Sequence, residues 1–168
     1  MRVYIFGIGG VGKTTVGQRV AERFGCEHIS GSSLMMKLSG TKSREELEKI
    51  SPEMQMAIEE IVYPEYVNSE ESIVVDGHGT LTDQQLDCFD EIIYLYASPS
   101  DIAKRRADRG RRETSVEEIE NEMDIYNEKL VRLAERTKVK TVHCSGAIDS
   151  VVDKMIEKFD NSEIGKIN

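Results

Sequence analysis

The sequence predicts the α/β class, with a five-stranded parallel sheet covered by helices on both faces. The first observation is a set of short apolar runs at Arg2–Phe6, Cys26–Ser30, Ser72–Asp76, Glu91–Tyr96 and Lys140–Cys144. Most are rich in β-branched residues and nearly continuous in apolar character, as strands buried on both faces must be. The second is that helical patterns with start signals separate these runs. The third is a glycine-rich turn between the first run and the first helix, on the side where strands of such sheets end and ligands bind.

Taken in order, Arg2–Phe6 leads into GIGGVGKTT, Gly7 to Thr15. Residues Gly7 to Thr14 match G-x-x-x-x-G-K-S/T in full. The glycines Gly7, Gly9, Gly10 and Gly12, with Ile8 and Val11 between them, let several backbone N–H groups converge on phosphate oxygens. The following helix, with Lys13, Thr14 and Thr15 in its first turn, adds partial positive charge. Lys13 is expected to reach the β- and γ-phosphates and Thr14 to ligate Mg²⁺. This narrows the expected fold to the three-layer P-loop NTPase fold, over residues 1–168 as one domain.

Between the second and third strands a helical insertion is expected over about 31–66. Ser43-Arg44-Glu45-Glu46 reads as a capping box there, and Ser51-Pro52 as a helix start. Leu34-Met35-Met36 and Met54-Gln55-Met56 read more readily as core than as a base pocket or an oligomer seam. The third strand ends at Asp76, the place for a carboxylate that holds Mg²⁺ through water. Asp76 and Gly79 also form D-x-x-G, but no guanine-reading N-K-x-D follows, so a switch GTPase is disfavoured. His78 reads equally as a phosphate contact or as a loop histidine, while His28 and His143, on expected strands, read as structural.

After the fourth strand, Ser98-Pro99 starts a helix that carries KRRADRGRR, Lys104 to Arg112. Five arginines in eight residues with one intervening acid repel one another unless something anionic sits among them. Phosphoryl transfer needs such charge, so the run reads as a lid over about 109–115, with Gly110 as the exit from the helix. Ser115 to Glu118 forms a second capping box. The helix after it sets Val116, Ile119, Met123, Tyr126, Leu130 and Leu133 on one buried stripe. The last helix does the same with Ile148, Val151, Val152, Met155, Ile156 and Phe159, and a polar tail after Asp160 is expected to fray.

The net charge of −9 argues against broad nucleic-acid binding, and a local basic cluster suits a small anionic ligand. Three cysteines without a CxxC pair fit a reducing cytoplasm, and no apolar run is long enough for a signal or a membrane span. A soluble, intracellular protein is expected.

The stretches GIGGVGKTT, EELEKISPEMQ, IVVDGHGTL and RRADRGRRETSVEEI, in this order and spacing, resemble the nucleoside monophosphate kinases, and among them the archaeal-type adenylate kinases. The resemblance implies transfer of the γ-phosphoryl group of ATP to AMP or a related monophosphate, with nucleotides as partners and Mg²⁺ as cofactor. Carried over, Lys13 and the loop amides hold ATP, and Thr14 and Asp76 organise Mg²⁺. Arg109 and Arg111 match lid arginines, with Arg105 and Arg112 as weaker matches. Arg44, Gln55, Ser32, Ser33 and His78 are the acceptor-side candidates. Departures exist: Asp76-Gly77-His78-Gly79 replaces D-G-F-P-R and is nearer the archaeal D-T-H, while Glu48 and Glu113 stand where arginines are usual. The lid has no cysteine, which excludes a zinc lid.

The stretch VVDGHG also resembles the small adenylate kinases associated with ribosome assembly, which implies an ATPase switch acting on a partner. A small-metabolite kinase, with Asp76 or His78 as base, is the remaining alternative. Oligomeric state is left open by the sequence.

Overall fold

The computed structural model describes residues 1–47, 49–51, 54, 72–78, 81–110 and 114–163, with backbone alone at 44, 45 and 160–163. Its strands are β1 (Arg2–Phe6), β2 (Glu27–Ser30), β3 (Ile73–Gly77), β4 (Glu91–Tyr96) and β5 (Val139–His143). They form one sheet in the order β2-β3-β1-β4-β5, and every pair is parallel. The helices among the described residues are α1 (Lys13–Phe24), α2 (Gly31–Ser39), α3 (Arg44–Leu47), α4 (Asp83–Leu86), α5 (Pro99–Asp108), α6 (Val116–Ala134) and α7 (Ile148–Glu163).

Side chains alternate across each strand, so β1 sends Val3 and Ile5 to one face and Tyr4 and Phe6 to the other. Against the first face pack Val16 and Val20 of α1 and Val151, Val152, Met155 and Phe159 of α7. Against the second pack Leu81, Leu86 and Phe89 around α4. Helix α6 serves both faces, with Ile119 in the first core and Leu133 in the second. Burial of each such side chain contributes about 1.5–3 kcal/mol before chain entropy is counted.

Local chemistry sets the helix boundaries. Ser98 Oγ accepts from the Asp101 N–H at 3.1 Å, with Pro99 at the first helical position. Ser115 and Glu118 exchange both bonds of a capping box, at 3.1 and 2.8 Å. Thr82 and Gln85 form a second reciprocal box on α4, a short helix the sequence pattern does not announce. At Ser43 only half of the expected box forms. Ser43 Oγ accepts from the Glu46 N–H, but the Glu46 carboxylate accepts from the Lys42 N–H one residue earlier.

Three further expectations are corrected. Val116 is exposed, because the α6 stripe reaches the core only from Ile119 onward. Met35 is core, packed near Leu47, but Met54 is 55% exposed. The last helix runs past Asp160 to Glu163.

Candidate active site

The glycine loop leaves β1 at its C-terminal end. Gly7 has φ 150°, and a Cβ there would lie 2.3 Å from the Leu95 carbonyl oxygen, so only glycine lets β1 turn this close to β4. Gly12, at φ 115°, caps α1 in a left-handed conformation. Ile8 and Val11 point into the core beneath the loop. The Lys13 side chain is nearly buried and curls back over the loop, where Nζ donates to the carbonyls of Gly7 at 2.6 Å and Ile8 at 3.1 Å.

Asp76 stands on β3 directly opposite Ile5 of β1. Its Oδ2 meets His28 Nε2 at 3.0 Å, and both side chains are largely buried. His28 is on β2, and its ring fits because α1 carries Gly17. A Cβ on Gly17 would lie 2.7 Å from His28 Nε2. The His28 side chain is largely buried on β2, where the sequence places it on a strand, and its partner is the expected metal carboxylate. Among the described residues Asp76 Oδ1 has no protein partner.

One cleft is lined by Gly9, Gly10, Gly12, Lys13 and Thr14 of the loop, by Ser32, by Asp76, Gly77 and His78, and by Arg109. These residues come together because β1 and β3 are neighbours and α2 and α5 start or stop at the same edge. His78 Nδ1 lies 3.4 Å from the Tyr126 hydroxyl, and its carbonyl accepts from Lys129 Nζ at 3.1 Å, which ties this corner to α6. Arg109 is exposed at the C-cap of α5, and Gly110, at φ 66°, takes the chain out of the helix as expected.

Other candidates lie elsewhere. Thr15 is half-buried and Ser33 exposed, and neither lines the cleft. Arg111, Arg112, Glu113, Gln55, Glu48 and the Arg44 side chain lie outside the described residues. Arg105 does not line the cleft either. Its guanidinium donates to the carbonyls of Val11 and Cys144, both at 2.8 Å. Cys144 is buried there, and burial pushes its thiol up to about 11.

The sequence pattern also passes over Arg106. This side chain is buried, donates from Nε to the Gly9 carbonyl at 2.9 Å and forks onto both oxygens of Glu122 at 3.0 and 2.6 Å. Two of the five clustered arginines are therefore satisfied inside the protein, and mutual repulsion does not by itself require an anionic ligand. A signal existed in the helical phase: Arg106 follows Ile102 by four residues on the inward face of α5.

Thr14 and Asp76 supply a hydroxyl and a carboxylate to the same cleft, a hard-oxygen donor set of the kind Mg²⁺ prefers. No group of three or more His, Cys, Asp or Glu among the described residues offers a site for a softer metal.

A family model described as an AAA domain matches residues 6–125. A putative adenylate kinase from Pyrococcus furiosus is 31% identical over 127 residues, covering 73% of this chain and 64% of that protein. An adenylate kinase from Mycolicibacterium smegmatis is 28% identical over 174 residues, covering 90% of this chain and 94% of the relative. Among solved structures, shikimate kinase from Acinetobacter baumannii in complex with shikimate superposes with a TM-score of 0.74 at 21% identity, covering 99% of this chain and 95% of the other. At that identity the likeness shows the fold alone.

Proposed function

Because the chain belongs to the AAA domain family and is an ATP-dependent phosphotransferase, we propose that it is a nucleoside monophosphate kinase that transfers the γ-phosphoryl group of ATP·Mg to AMP. The observation that carries this reading is the single cleft that gathers Lys13, Thr14, Asp76, Ser32, His78 and Arg109. The names of the relatives from Pyrococcus furiosus and Mycolicibacterium smegmatis support the acceptor class.

In this reading the loop N–H groups and Lys13 hold the ATP phosphates. Lys13 exchanges its two carbonyl partners for phosphate oxygens, a short movement of a flexible stem. Thr14 and Asp76 would hold Mg²⁺, which neutralises charge on the phosphate oxygens. Ser32 and His78, on the β2–β3 side of the cleft, are the residues that take the acceptor in this reading. Arg109, at the edge of the cleft, brings positive charge to the transferring group. A strong base is unnecessary because the acceptor phosphate is already an anion. Alignment and charge neutralisation supply the rate, with water excluded on closure. A cytoplasmic setting goes with free cysteines at 26, 88 and 144 and with the absence, among the described residues, of any helix long and apolar enough to cross a membrane.

The test is ADP formation from ATP·Mg²⁺ with AMP, CMP, UMP, GMP, shikimate or no acceptor in parallel. Strong dependence on AMP is expected. Equal rates with and without every acceptor overturn the reading in favour of a partner-regulated ATPase switch, and dependence on shikimate overturns it in favour of a small-metabolite kinase.

A further inference from the structure

Four carbonyls of the glycine loop are held by cationic side chains. Lys13 takes those of Gly7 and Ile8, Arg106 takes Gly9, and Arg105 takes Val11. In a trans peptide the C=O and the next N–H point in opposite directions, and no cis bond occurs among the described residues. Fixing the Gly9 carbonyl on Arg106 therefore turns the Gly10 N–H away from α5. Fixing the Val11 carbonyl on Arg105 does the same for the Gly12 N–H. Both glycines line the cleft, and neither N–H has a protein partner among the described residues. Donors left open in this way on a concave loop suit an anionic oxygen.

The holding side chains are themselves held. Glu122 of α6 grips the Arg106 guanidinium through both oxygens, a fork-to-fork pair that fixes its plane. The Arg106 stem lies against the loop so closely that a Cβ on Gly10 would be 3.0 Å from its Cγ. Arg105 spends its second arm on the Cys144 carbonyl beyond β5. The loop is thus pinned from outside, at alternate peptides, to two parts of the fold distant in sequence.

We propose that Arg105 and Arg106, the latter oriented by Glu122, are positioning residues that preset the Gly10 and Gly12 N–H groups for phosphate oxygens. This rests on the reading of the loop as phosphate-binding and is independent of the acceptor's identity. It moves Arg105 from the lid's reactive charge to the support of the loop.

The experiment measures calorimetric binding of ATP and of inorganic tripolyphosphate to the full chain and to Arg106→Met, Arg105→Met and Glu122→Gln, with thermal unfolding and steady-state kinetics alongside. Each arginine variant is expected to weaken both ligands by the same factor, about tenfold. Glu122→Gln, which keeps one hydrogen bond, is expected to weaken them about threefold. The KM for ATP rises in step while the KM for the acceptor does not move. Folded variants that bind tripolyphosphate within about twofold of the parent overturn the proposal, because a purely structural clamp moves the melting temperature alone. A loss seen with ATP but not with tripolyphosphate also overturns it, by placing the arginines against the nucleoside. If the parent binds neither ligand, the loop reading itself fails and the proposal with it. Should Arg106→Met not fold, Arg105→Met and Glu122→Gln decide the matter on the same criteria.

Discussion

Replacing His28 with alanine removes the protein partner of Asp76 and leaves that carboxylate, with its side chain only 5% exposed, facing the gap. A hydrogen bond to a charged group is worth about 1.5–3 kcal/mol, and the space vacated by the ring adds roughly 1 kcal/mol. The expected loss is about 3 kcal/mol, which in a chain of 168 residues lowers the melting temperature by about 6–12 °C. Urea unfolding followed by circular dichroism at pH 7.5 measures it. The same pair can be broken from the other side. Gly17→Ala puts a methyl group 2.7 Å from His28 Nε2 and displaces the ring from Asp76. Alone, that change costs more than the helix gains, since Gly to Ala within a helix contributes only about 1 kcal/mol. In the His28→Ala background the obstruction is gone, and the same substitution becomes stabilising by about that amount. A reversal of sign between the two backgrounds is the expected signature. If Gly17→Ala has the same effect in both, or His28→Ala costs under about 1 kcal/mol, the account of this pair is wrong.

Other outcomes are expected elsewhere in the molecule. Lys13→Met lowers turnover by about 10²–10³-fold while the far-ultraviolet spectrum stays native, and a folded variant with near-parental turnover removes Lys13 from the reaction. Ser115→Ala removes one partner of the α6 capping box and lowers stability by about 1 kcal/mol, seen as a drop of about 2–4 °C in melting temperature. Burial raises the Cys144 thiol to about 11, so at pH 8 it stays protonated and reacts with iodoacetamide last of the three cysteines. Its rate in the native protein climbs as pH rises toward that value, and prompt labelling at pH 8 contradicts the described burial.

The sheet was legible because each strand carries its own signal, an apolar run whose length and β-branching owe little to context. The glycine loop was legible because its residue types are forced by backbone geometry, and Asp76 because it terminates such a run. The caps at Ser98 and Ser115 are local as well, each a matter of three residues. What the sequence hides is contact between distant segments. Nothing in the spacing of Arg106 and Glu122 says that they pair across 16 residues, or that His28 meets Asp76 across 48. Lys104 to Arg112 therefore read as a charged lid, with Arg105 and Arg109 together on one face of the helix. The fold divides it, turning Arg105 and Arg106 inward to the loop and leaving Arg109 at the cleft's edge. At Ser43 the failure has a different cause, since Glu46 can reach either of two adjacent N–H groups and residue type does not choose between them.

The pairing of β1 with β3 acts as a ruler. Ile5 lies across from Asp76 and Phe6 across from Gly77, so one inter-strand spacing, about 4.8 Å, separates the strand that leads into the glycine loop from the backbone that carries the carboxylate. No hinge motion can stretch that gap without unzipping the middle of the sheet. Helix α2, by contrast, begins at Gly31 just past the end of β2 and has no share in the measurement. Under the proposed kinase reading, exchanging residues 31–66 for another segment changes what is phosphorylated while the β1–β3 half keeps its calibration, much as a lathe takes a new workpiece without being rebuilt.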